Sequence, residues 1–323
     1  MMPPSRREWT TNYFRTLYGR LYRDYLLPRS QTRREVEFAK SVLELRKKRV
    51  LDLACGFGRH ARLLSKSNWV WAIDQNHDYL RMAREGLSYR SMQRLALVRG
   101  DMRHLPFGDA QFDAVLLLFN SFGYFVEPPS APHAAERELW RLPNVFYERR
   151  LVSEDYGVYR NPEQSHKNIA ASNSSPDNTR TAVADQNLLV LQEISRVLKE
   201  QGGFLLEVPN PRPLLEAVME TPRRWMISRH FEIVEEYRFD RIRRILSNTT
   251  RFSTPELTEE AEYHIRIYTR RELTSMLRKA GFQIAALFGS YDGEEYDPFN
   301  SACMIIHAVK TRKTRRCRRV LSQ

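Results

Sequence analysis

The stretch that decides the fold is "VLDLACGFGRHARLL", Val50 to Leu64. It begins as an apolar run that carries one acid, Asp52, and passes into a turn that contains Gly56 and Gly58. Strand–turn–helix units of this kind bind ligands, because glycine lets the backbone come close to a bound molecule. The stretch therefore predicts a strand, a ligand-binding turn and a helix.

The same alternation of strand and helix continues along the chain. Apolar strand segments such as "WVWAID", "LALVRGD", "FDAVLLLFN" and "FLLEVPN" are separated by amphipathic segments, which is typical of βαβ units and a parallel sheet. The helix "DQNLLVLQEISRVLKEQGG" is expected to end at its glycines, and "TRRELTSMLRKAGF" to begin at Thr269 and end at Gly281. "QIAALFGSYDG" and "ACMIIHAVK" predict two final strands.

Changes in composition divide the chain into segments. Aromatic residues recur at helical spacing from residue 8, residues 127–185 are rich in Pro, Ser and Asn without a sustained period, and strand-like alternation follows Pro211. We therefore predict an N-terminal helical segment (1–46), an α/β core (47–210) interrupted by a disordered surface insertion (127–185), an antiparallel β cap (211–268), the end of the core (269–309) and a basic tail (310–323).

Composition narrows the class of protein. The 323 residues contain 42% hydrophobic residues, enough for one large core or two modest ones, and carry a net charge of +13. Seven basic residues and no acid lie in the tail "KTRKTRRCRRVLSQ", which is either solvated or in contact with RNA or an acidic partner. The chain has no apolar run of about 20 residues and no signal peptide pattern, so a cytoplasmic protein without a membrane span is expected.

The metal-ligand and disulfide patterns are missing from the sequence. The three cysteines, Cys55, Cys303 and Cys317, show no CxxC spacing, and His307, four positions after Cys303, is the one His that lies three or four positions from another His or Cys. We therefore expect reduced thiols and no metal site. Cys55 is interpreted as a small buried residue, and His60 as a residue at the start of a helix.

Acidic residues at three strand ends point to the ligand. Asp74 ends the second strand, where its carboxylate can accept hydrogen bonds from both ribose hydroxyls, and Asp101 follows the third, where it can take an adenine amino group. The turn also satisfies a dinucleotide fingerprint. Asp52, however, would repel a pyrophosphate and would suit an ammonium group, which favours a nucleoside that carries an amino acid. The alternative is that Asp52 ties the loop together as a structural carboxylate.

These segments resemble a known family. "VLDLACGFGRHARLL", "VWAIDQN", "GDMRHLPFGDAQFDAV", "FNSFGYF" and "ISRVLKEQGGFLLEVPN" are similar to the class I S-adenosylmethionine-dependent methyltransferases, in particular bacterial small-molecule-type members with a D-x-A-C-G-x-G-R-H loop. The resemblance covers about residues 48–126 and 186–309. It implies a Rossmann-like α/β fold with a seven-stranded sheet in the order 3-2-1-4-5-7-6, the last strand antiparallel.

The resemblance also implies site residues and S-adenosylmethionine as the cofactor. Family positions that match this sequence imply four groups of contacts: with the methionine part of the cofactor, then with the ribose, then with the adenine, and finally on the sulfonium side. The implied residues are Asp52, Ala54, Gly56 and Gly58, then Asp74 and Gln75, then Asp101 and Met102, and finally Phe119. Asn120 to Gly123 lack the Asn/Asp-Pro-Pro-aromatic motif of amino-group methylases of DNA and protein glutamine.

The predicted reaction is metal-independent transfer of a methyl group to an oxygen or nitrogen of a small acceptor. The alternatives are an RNA methyltransferase that uses the arginine-rich cap and tail, and a non-catalytic cofactor-binding protein. Nucleic acid is a possible partner that is not favoured, no membrane partner is expected, and the chain is expected to be a monomer or homodimer. The acceptor is predicted to enter beside Phe119 to Tyr124, beneath the cap.

In the cap, alternation along "EYHIRIYT" separates Tyr263 and Ile265 from His264 and Arg266. We predict that the polar set, together with Tyr124, lines the acceptor pocket. The alternatives are a solvated outer face for His264 and Arg266, a packing role for Tyr124, and a pocket along the N-terminal helix.

Overall fold

The computed structural model describes residues 13–14, 19, 28–127, 157–159 and 185–312. The helices within these residues are α1 (Arg29–Val42), α2 (Arg59–Leu64), α3 (His77–Arg84), α4 (Tyr89–Met92), α5 (Gln186–Val197), α6 (Pro211–Glu220) and α7 (Arg270–Lys279). The strands are β1 (Arg49–Leu53), β2 (Trp69–Asp74), β3 (Leu95–Arg99), β4 (Phe112–Leu117), β5 (Gly157–Tyr159), β6 (Leu198–Pro209), β7 (Arg223–Ile227), β8 (Glu232–Asp240), β9 (Ile245–Ser253), β10 (Thr258–Arg266), β11 (Phe282–Phe288) and β12 (Cys303–Lys310).

The core is a seven-stranded sheet in the order β3-β2-β1-β4-β6-β12-β11. Strands β1, β2, β3, β4 and β6 are parallel, and β12 is antiparallel to both of its neighbours. Strands β5 and β7 to β10 belong to another sheet. When the seven strands of the core are numbered without them, the order is the predicted 3-2-1-4-5-7-6, so the predicted fold is confirmed.

The sheet is buried on both faces, as parallel sheets usually are. On one face Leu51 and Leu53 pack with residues of α5 and α7, and on the other Val50 packs with residues of α1, α2 and α3. Alternate residues of one strand thus serve two apolar clusters. Asp52 is the one acidic residue of β1, and it lies next to the last residue of the strand.

An extra antiparallel sheet has the order β10-β9-β8-β7-β5. Strands β7 to β10 lie in the range predicted as a β cap, although that range begins with a helix, α6, which the sequence reading did not include. Strand β5 lies inside the predicted insertion and pairs with β7. The remainder of 127–185 lies outside the described residues, as do most of the first 27 residues and the tail from residue 313.

One predicted helix boundary is wrong. Helix α5 ends at Val197, and Gly202 and Gly203 lie within β6 instead of ending the helix. The strand is irregular here, since Gln201 has a φ of 62°, and a Cβ on Gly202 would lie 2.9 Å from the Lys199 carbonyl oxygen. The glycines therefore allow close packing in a strand irregularity.

The predicted ends of α7 are correct. Thr269 Oγ1 accepts a hydrogen bond from the Glu272 N–H, and the Glu272 carboxylate accepts one from the Thr269 N–H, which forms a capping box. Gly281 follows the helix with a φ of 87°, a conformation that favours glycine.

Candidate active site

A cavity of about 720 Å³ lies at the carboxyl ends of the parallel strands β1 to β4. This is the edge at which open α/β sheets bind their ligands. Eight of the nine predicted cofactor residues line it: Asp52, Ala54, Gly56, Asp74, Gln75, Asp101, Met102 and Phe119. The structure thus brings together residues that are spread over almost 70 positions of the sequence.

Gly58 is the predicted residue that is not among those lining the cavity. It precedes α2 with a φ of 74°, and a Cβ at this position would lie 2.8 Å from the Cβ of Ala83 on α3. Gly58 therefore lets two helices pack closely, whereas Gly56, with a φ of 54° and open space around it, faces the cavity.

Asp74 is held by the backbone of the turn. Its Oδ2 accepts a hydrogen bond of 2.8 Å from the Gly56 N–H, and its Oδ1 accepts one of 2.8 Å from the Asn76 N–H. Burial raises the pKa of this carboxyl above its usual value. Each carboxylate oxygen keeps further acceptor capacity, so the fixed carboxylate can receive two hydroxyl donors from the cavity.

A buried charged cluster joins helix α1 to the turn. Glu35 on α1 is 1% exposed and contacts His60 Nε2 at 2.7 Å, and it also accepts a hydrogen bond from Arg59. Burial would raise the pKa of Glu35, but the hydrogen bond to His60 and the charge of Arg59 lower it to about 2. Glu35 is therefore ionised at neutral pH, and Thr32 adds a second acceptor for Arg59 at 3.1 Å.

Two polar atoms on the cavity wall have no hydrogen-bond partner in the described part of the chain. They are Oδ2 of Asp52 and Nη2 of Arg59, and both are buried. The Arg59 guanidinium also lies 4.7 Å from the centre of the Phe119 ring. Because buried polar groups are almost always paired, this donor and this acceptor can together receive a ligand that carries both an ammonium and a carboxylate, as an α-amino acid does.

Burial also acts on the titration of Asp52. It raises the pKa of the Asp52 carboxyl to about 6, although His60 and Arg59 oppose the shift. A cationic group next to Asp52 would favour the ionised form. The donor set around the turn thus fits the amino-acid end of S-adenosylmethionine.

Asp101 is more constrained than the sequence suggested. Arg103 donates to Asp101 through its backbone N–H at 2.9 Å and through its guanidinium at 2.6 Å, and it lies over the ring of Phe125. Burial would raise the pKa of Asp101, but these contacts lower it. An adenine amino group would therefore share this carboxylate with Arg103, a residue that sequence reasoning did not single out.

The loop after β4 is fixed from two sides. Phe119 and Asn120 have φ values of 58° and 56°, and the buried Glu207 accepts hydrogen bonds from the Phe119 N–H at 2.5 Å and the Tyr291 hydroxyl at 2.6 Å. Further along the loop, the Gly123 carbonyl accepts a 2.9 Å hydrogen bond from the Arg266 N–H at the end of β10. The loop is thus bound to both the core and the cap.

Tyr124 lies on the cavity wall within a group of four aromatic rings. Its ring centre is 5.1 Å from that of Phe14 and 6.0 Å from that of Tyr263, and Tyr13 lies 4.7 Å from Tyr263. We call Tyr13, Phe14, Tyr124 and Tyr263 the aromatic quartet. It joins the N-terminal segment, the loop after β4 and the cap at the cavity.

His264 and Arg266, which were predicted to join Tyr124, are not among the residues that line the cavity. His264 Nδ1 lies 2.8 Å from Ser247 Oγ, and burial lowers the pKa of its imidazole to about 4. Arg266 donates to Glu272 at 3.0 Å. On the opposite side of β10, the buried Ile265 belongs to the same apolar cluster as Tyr124 and Tyr263 of the quartet. His264 is buried as well, so both sides of β10 are covered at this point.

The described residues contain neither a metal-ligand cluster nor a membrane-spanning helix. No group of three or more His, Cys, Asp or Glu side chains is placed to hold a metal ion. No helix in the described ranges has the length and apolar character needed to cross a membrane.

Comparisons with known proteins agree with this geometry. Residues 50–142 match a family model described as a methyltransferase domain. The Bacillus subtilis (strain 168) protein named "Putative methyltransferase YqeM" is 39% identical over 79 residues, which are 24% of this chain and 31% of that protein. The match thus spans about a third of the length of that relative.

Solved structures show the same fold at low identity. An S-adenosylmethionine-dependent methyltransferase from Clostridium acetobutylicum ATCC 824 has a TM-score of 0.63 and 15% identity over 94% of this chain and 100% of that one. The sugar N-methyltransferase KedS8 from Streptoalloteichus sp ATCC 53650 has a TM-score of 0.54 and 14% identity, with coverage of 92% and 93%.

Residues 50–142 thus match a methyltransferase domain, and the chain has the fold of solved S-adenosylmethionine-dependent methyltransferases. The predictions of this class, of an enzyme and of S-adenosylmethionine as the cofactor are thereby confirmed. The roles of the individual site residues stay predictions.

We expect Asp74→Ala to weaken S-adenosylhomocysteine binding by about 1.5–3 kcal/mol, the usual size of hydrogen bonds to a charged group. The substitution removes the carboxylate that would take the ribose hydroxyls and leaves the Gly56 and Asn76 N–H groups without their acceptor. Calorimetry with the purified protein measures the loss. An unchanged affinity would mean that the ribose does not bind at Asp74.

Proposed function

We propose that this protein transfers the methyl group of S-adenosylmethionine to an oxygen or nitrogen of a small-molecule acceptor, without a metal. The observation that carries the proposal is a single cavity that runs from Asp52 and Asp74 to Phe14 and Tyr124. The part near Asp52 and Asp74 offers charged partners for a cofactor, and the part near Phe14 and Tyr124 is lined by aromatic rings. Such a cavity suits a small acceptor better than a protein surface or a nucleic-acid duplex.

In the proposed arrangement, the ammonium of the cofactor binds Asp52 and its carboxylate binds Arg59. The ribose hydroxyls donate to Asp74, and the adenine lies by Asp101 and Met102. This orientation is supported by the two unpaired atoms, Asp52 Oδ2 and Arg59 Nη2. It directs the sulfonium towards the loop that carries Phe119 and Tyr124.

The cofactor supplies a methyl group that is already activated by the positive sulfur. The protein therefore needs mainly to align the acceptor and to exclude water. Phe14, Phe119 and Tyr124 can do both, since their rings line the cavity and aromatic faces attract cationic centres. The acceptor proton can leave to solvent, so the reaction requires no strong base.

A hydroxylated or amine-bearing acceptor fits the rest of the wall. His77 and Asp78 line the same cavity and can donate or accept hydrogen bonds to such groups. The structural neighbour whose name describes it as a sugar N-methyltransferase agrees with an acceptor of this class. A sugar or amino sugar is therefore the acceptor class we propose.

The test is incubation with methyl-labelled S-adenosylmethionine and, separately, a metabolite extract, total RNA and total protein. We expect label in the small-molecule fraction. Label that enters only RNA or only protein would overturn the proposed acceptor class.

Once an acceptor is known, Tyr124→Leu should lower kcat/KM at least tenfold and leave the affinity for S-adenosylhomocysteine within about threefold, because Tyr124 would touch the acceptor and not the cofactor. Tyr89→Leu is a matched control, since Tyr89 is 78% exposed and lies on α4 away from the cavity. Equal turnover in the two variants would remove Tyr124 from the acceptor site.

The affinity for S-adenosylhomocysteine should decrease as the pH falls below about 6. The unliganded protein holds Asp52 with a pKa of about 6, and an ammonium ligand prefers the ionised carboxylate, so binding at pH 5 must release a proton. Calorimetry at pH 5 and pH 7.5, in two buffers of different ionisation enthalpy, detects this proton. If the affinity does not change between these pH values, the ammonium does not bind at Asp52.

A further inference from the structure

We propose that the amino edge of the seven-stranded sheet binds single-stranded nucleic acid in a basic groove, separately from the methyl-transfer site. The groove is a depression of about 770 Å³ at the opposite ends of β1 and β2 from the cofactor cavity. Its lining consists of Arg46, Lys47, Lys48, Arg49, Trp69, Trp71, Asp113 and Lys199.

The groove has a large excess of positive charge. Five of its eight residues are basic, and the acid is Asp113. This carboxylate already accepts hydrogen bonds from Lys199 Nζ at 2.6 Å and from the Arg49 N–H at 2.7 Å. Lys48 also acts on Asp113, since burial would raise the pKa of that carboxyl, but the hydrogen bonds and the charges of Lys199 and Lys48 lower it. Arg46 and Lys47 are exposed, and one carboxylate among five basic residues leaves a net positive charge for an anion that comes from solution.

The register of the sheet places Lys310, the first residue of the basic tail, at the same edge. Val309 on β12 pairs with Gly203, which pairs through Ala114 with Val50 of β1. Lys310 follows directly and donates to the Leu198 carbonyl at 2.6 Å. The segment "KTRKTRRCRRVLSQ", with seven basic residues, thus begins at the edge that carries the groove.

Aromatic side chains make a nucleic acid the best-fitting polyanion. Trp69 is 44% exposed, and the Arg49 guanidinium lies 4.9 Å from the centre of the Trp71 ring. A positive groove with aromatic faces is the usual arrangement for single strands, because phosphates bind the charges and bases stack on the rings. An acidic peptide brings no stacking partner, and a flat membrane surface does not enter a concave groove.

A nucleic acid bound in this groove would not be methylated there. Strand β1 separates the groove from the cofactor cavity, and its five residues span about 16 Å at 3.3 Å per residue. The groove is therefore a docking surface, and the proposal stands or falls independently of the acceptor of the methyl group.

The test uses fluorescence anisotropy of the full-length protein with labelled 12-nucleotide single-stranded RNA and DNA at 50 and 200 mM KCl. We expect binding at 50 mM that weakens with salt. The Lys47→Gln/Lys48→Gln double variant should weaken binding at least tenfold and reduce the slope of log K against log salt by about 1.4, for two lost phosphate contacts. Trp69→Ala should weaken it at least fivefold by the loss of base stacking.

The matched control is the Arg81→Gln/Arg84→Gln double variant, which removes the same charge from exposed positions of α3. We expect its binding to stay within about threefold of that of the unchanged protein. The proposal is overturned if RNA and DNA do not bind at 50 mM KCl, or if both double variants weaken binding equally. Binding to vesicles of anionic phospholipid in the absence of nucleic-acid binding would also overturn it and would assign the groove to a membrane surface.

Discussion

Glu35→Gln should lower the free energy of unfolding by about 3 kcal/mol at pH 7, the lower end of the range for breaking a buried ion pair. The variant leaves the Arg59 guanidinium buried without its anionic partner, and it removes the charge that contacts His60. Urea denaturation, followed by circular dichroism, measures the change. Because α1 contacts the turn through this cluster, the same variant should also weaken S-adenosylhomocysteine binding.

The effect should depend on pH in a defined direction. The folded protein lowers the pKa of Glu35 from 4.5 to about 2, so its stabilising contribution is complete above pH 4.5 and is lost as the pH falls towards 2. The difference between Glu35→Gln and the unchanged protein should therefore shrink across that interval. Glu37→Gln is the matched control, since Glu37 is exposed and pairs with Lys40 on the same helix; we expect it to change stability by less than about 0.5 kcal/mol. A similar loss in both variants would contradict a special role for Glu35.

Asp52→Asn should weaken S-adenosylhomocysteine binding by about 1.5–3 kcal/mol, which corresponds to about 10- to 150-fold. The amide cannot offer the second oxygen that now has no partner, and it carries no charge for the ammonium of the ligand. Arg59→Gln should have an effect of similar size, through the carboxylate of the same ligand. Both values come from titration calorimetry.

The control for these two variants is a second ligand. 5′-Methylthioadenosine has the adenosine and the sulfur but neither the ammonium nor the carboxylate, so its affinity should change less than about threefold in either variant. If both ligands lose affinity equally, the substitutions have damaged the fold, and the amino-acid end of the cofactor does not bind between Asp52 and Arg59.

The core of the fold could be predicted from local patterns in the sequence. Apolar runs of strand length, the turn with Gly56, and acids at strand ends are all encoded within short segments, so a parallel α/β sheet with a ligand-binding turn followed from them, whereas the order of the strands and most of the cavity wall were implied by the resemblance to a family. The end of α5 was not predicted correctly, because Gly202 and Gly203 resemble the end of a helix although they lie in an irregular part of β6. The helix α6 was missed because it begins with two prolines, Pro211 and Pro213, which resemble a loop. The strand β5 was missed because it has three residues and depends on its pairing with β7.

The parts of the site that could not be predicted depend on contacts between distant residues. Glu35 lies 25 positions before His60, and nothing in the pattern of α1 indicates that one of its acids is buried. Arg103 next to Asp101 would have been visible in the sequence, but the resemblance to a family drew attention to the acid alone. Alternation along β10 separated its two faces but did not reveal their surroundings: the buried His264 contacts Ser247, and Tyr263 packs against Tyr13 and Tyr124.

The hydrogen bond between the Gly123 carbonyl and the Arg266 N–H has a consequence for protein engineering. A Cβ on Gly123, where φ is 109°, would lie 2.7 Å from the Arg266 carbonyl oxygen. The backbone of the loop after β4 therefore packs directly against the backbone at the end of β10. A chimera that receives the cap of a homologous enzyme should therefore also receive that enzyme's equivalent of residues 119–125. Grafts that exchange both segments together should retain foldability, whereas a graft of the cap alone would join two surfaces that were never selected to match.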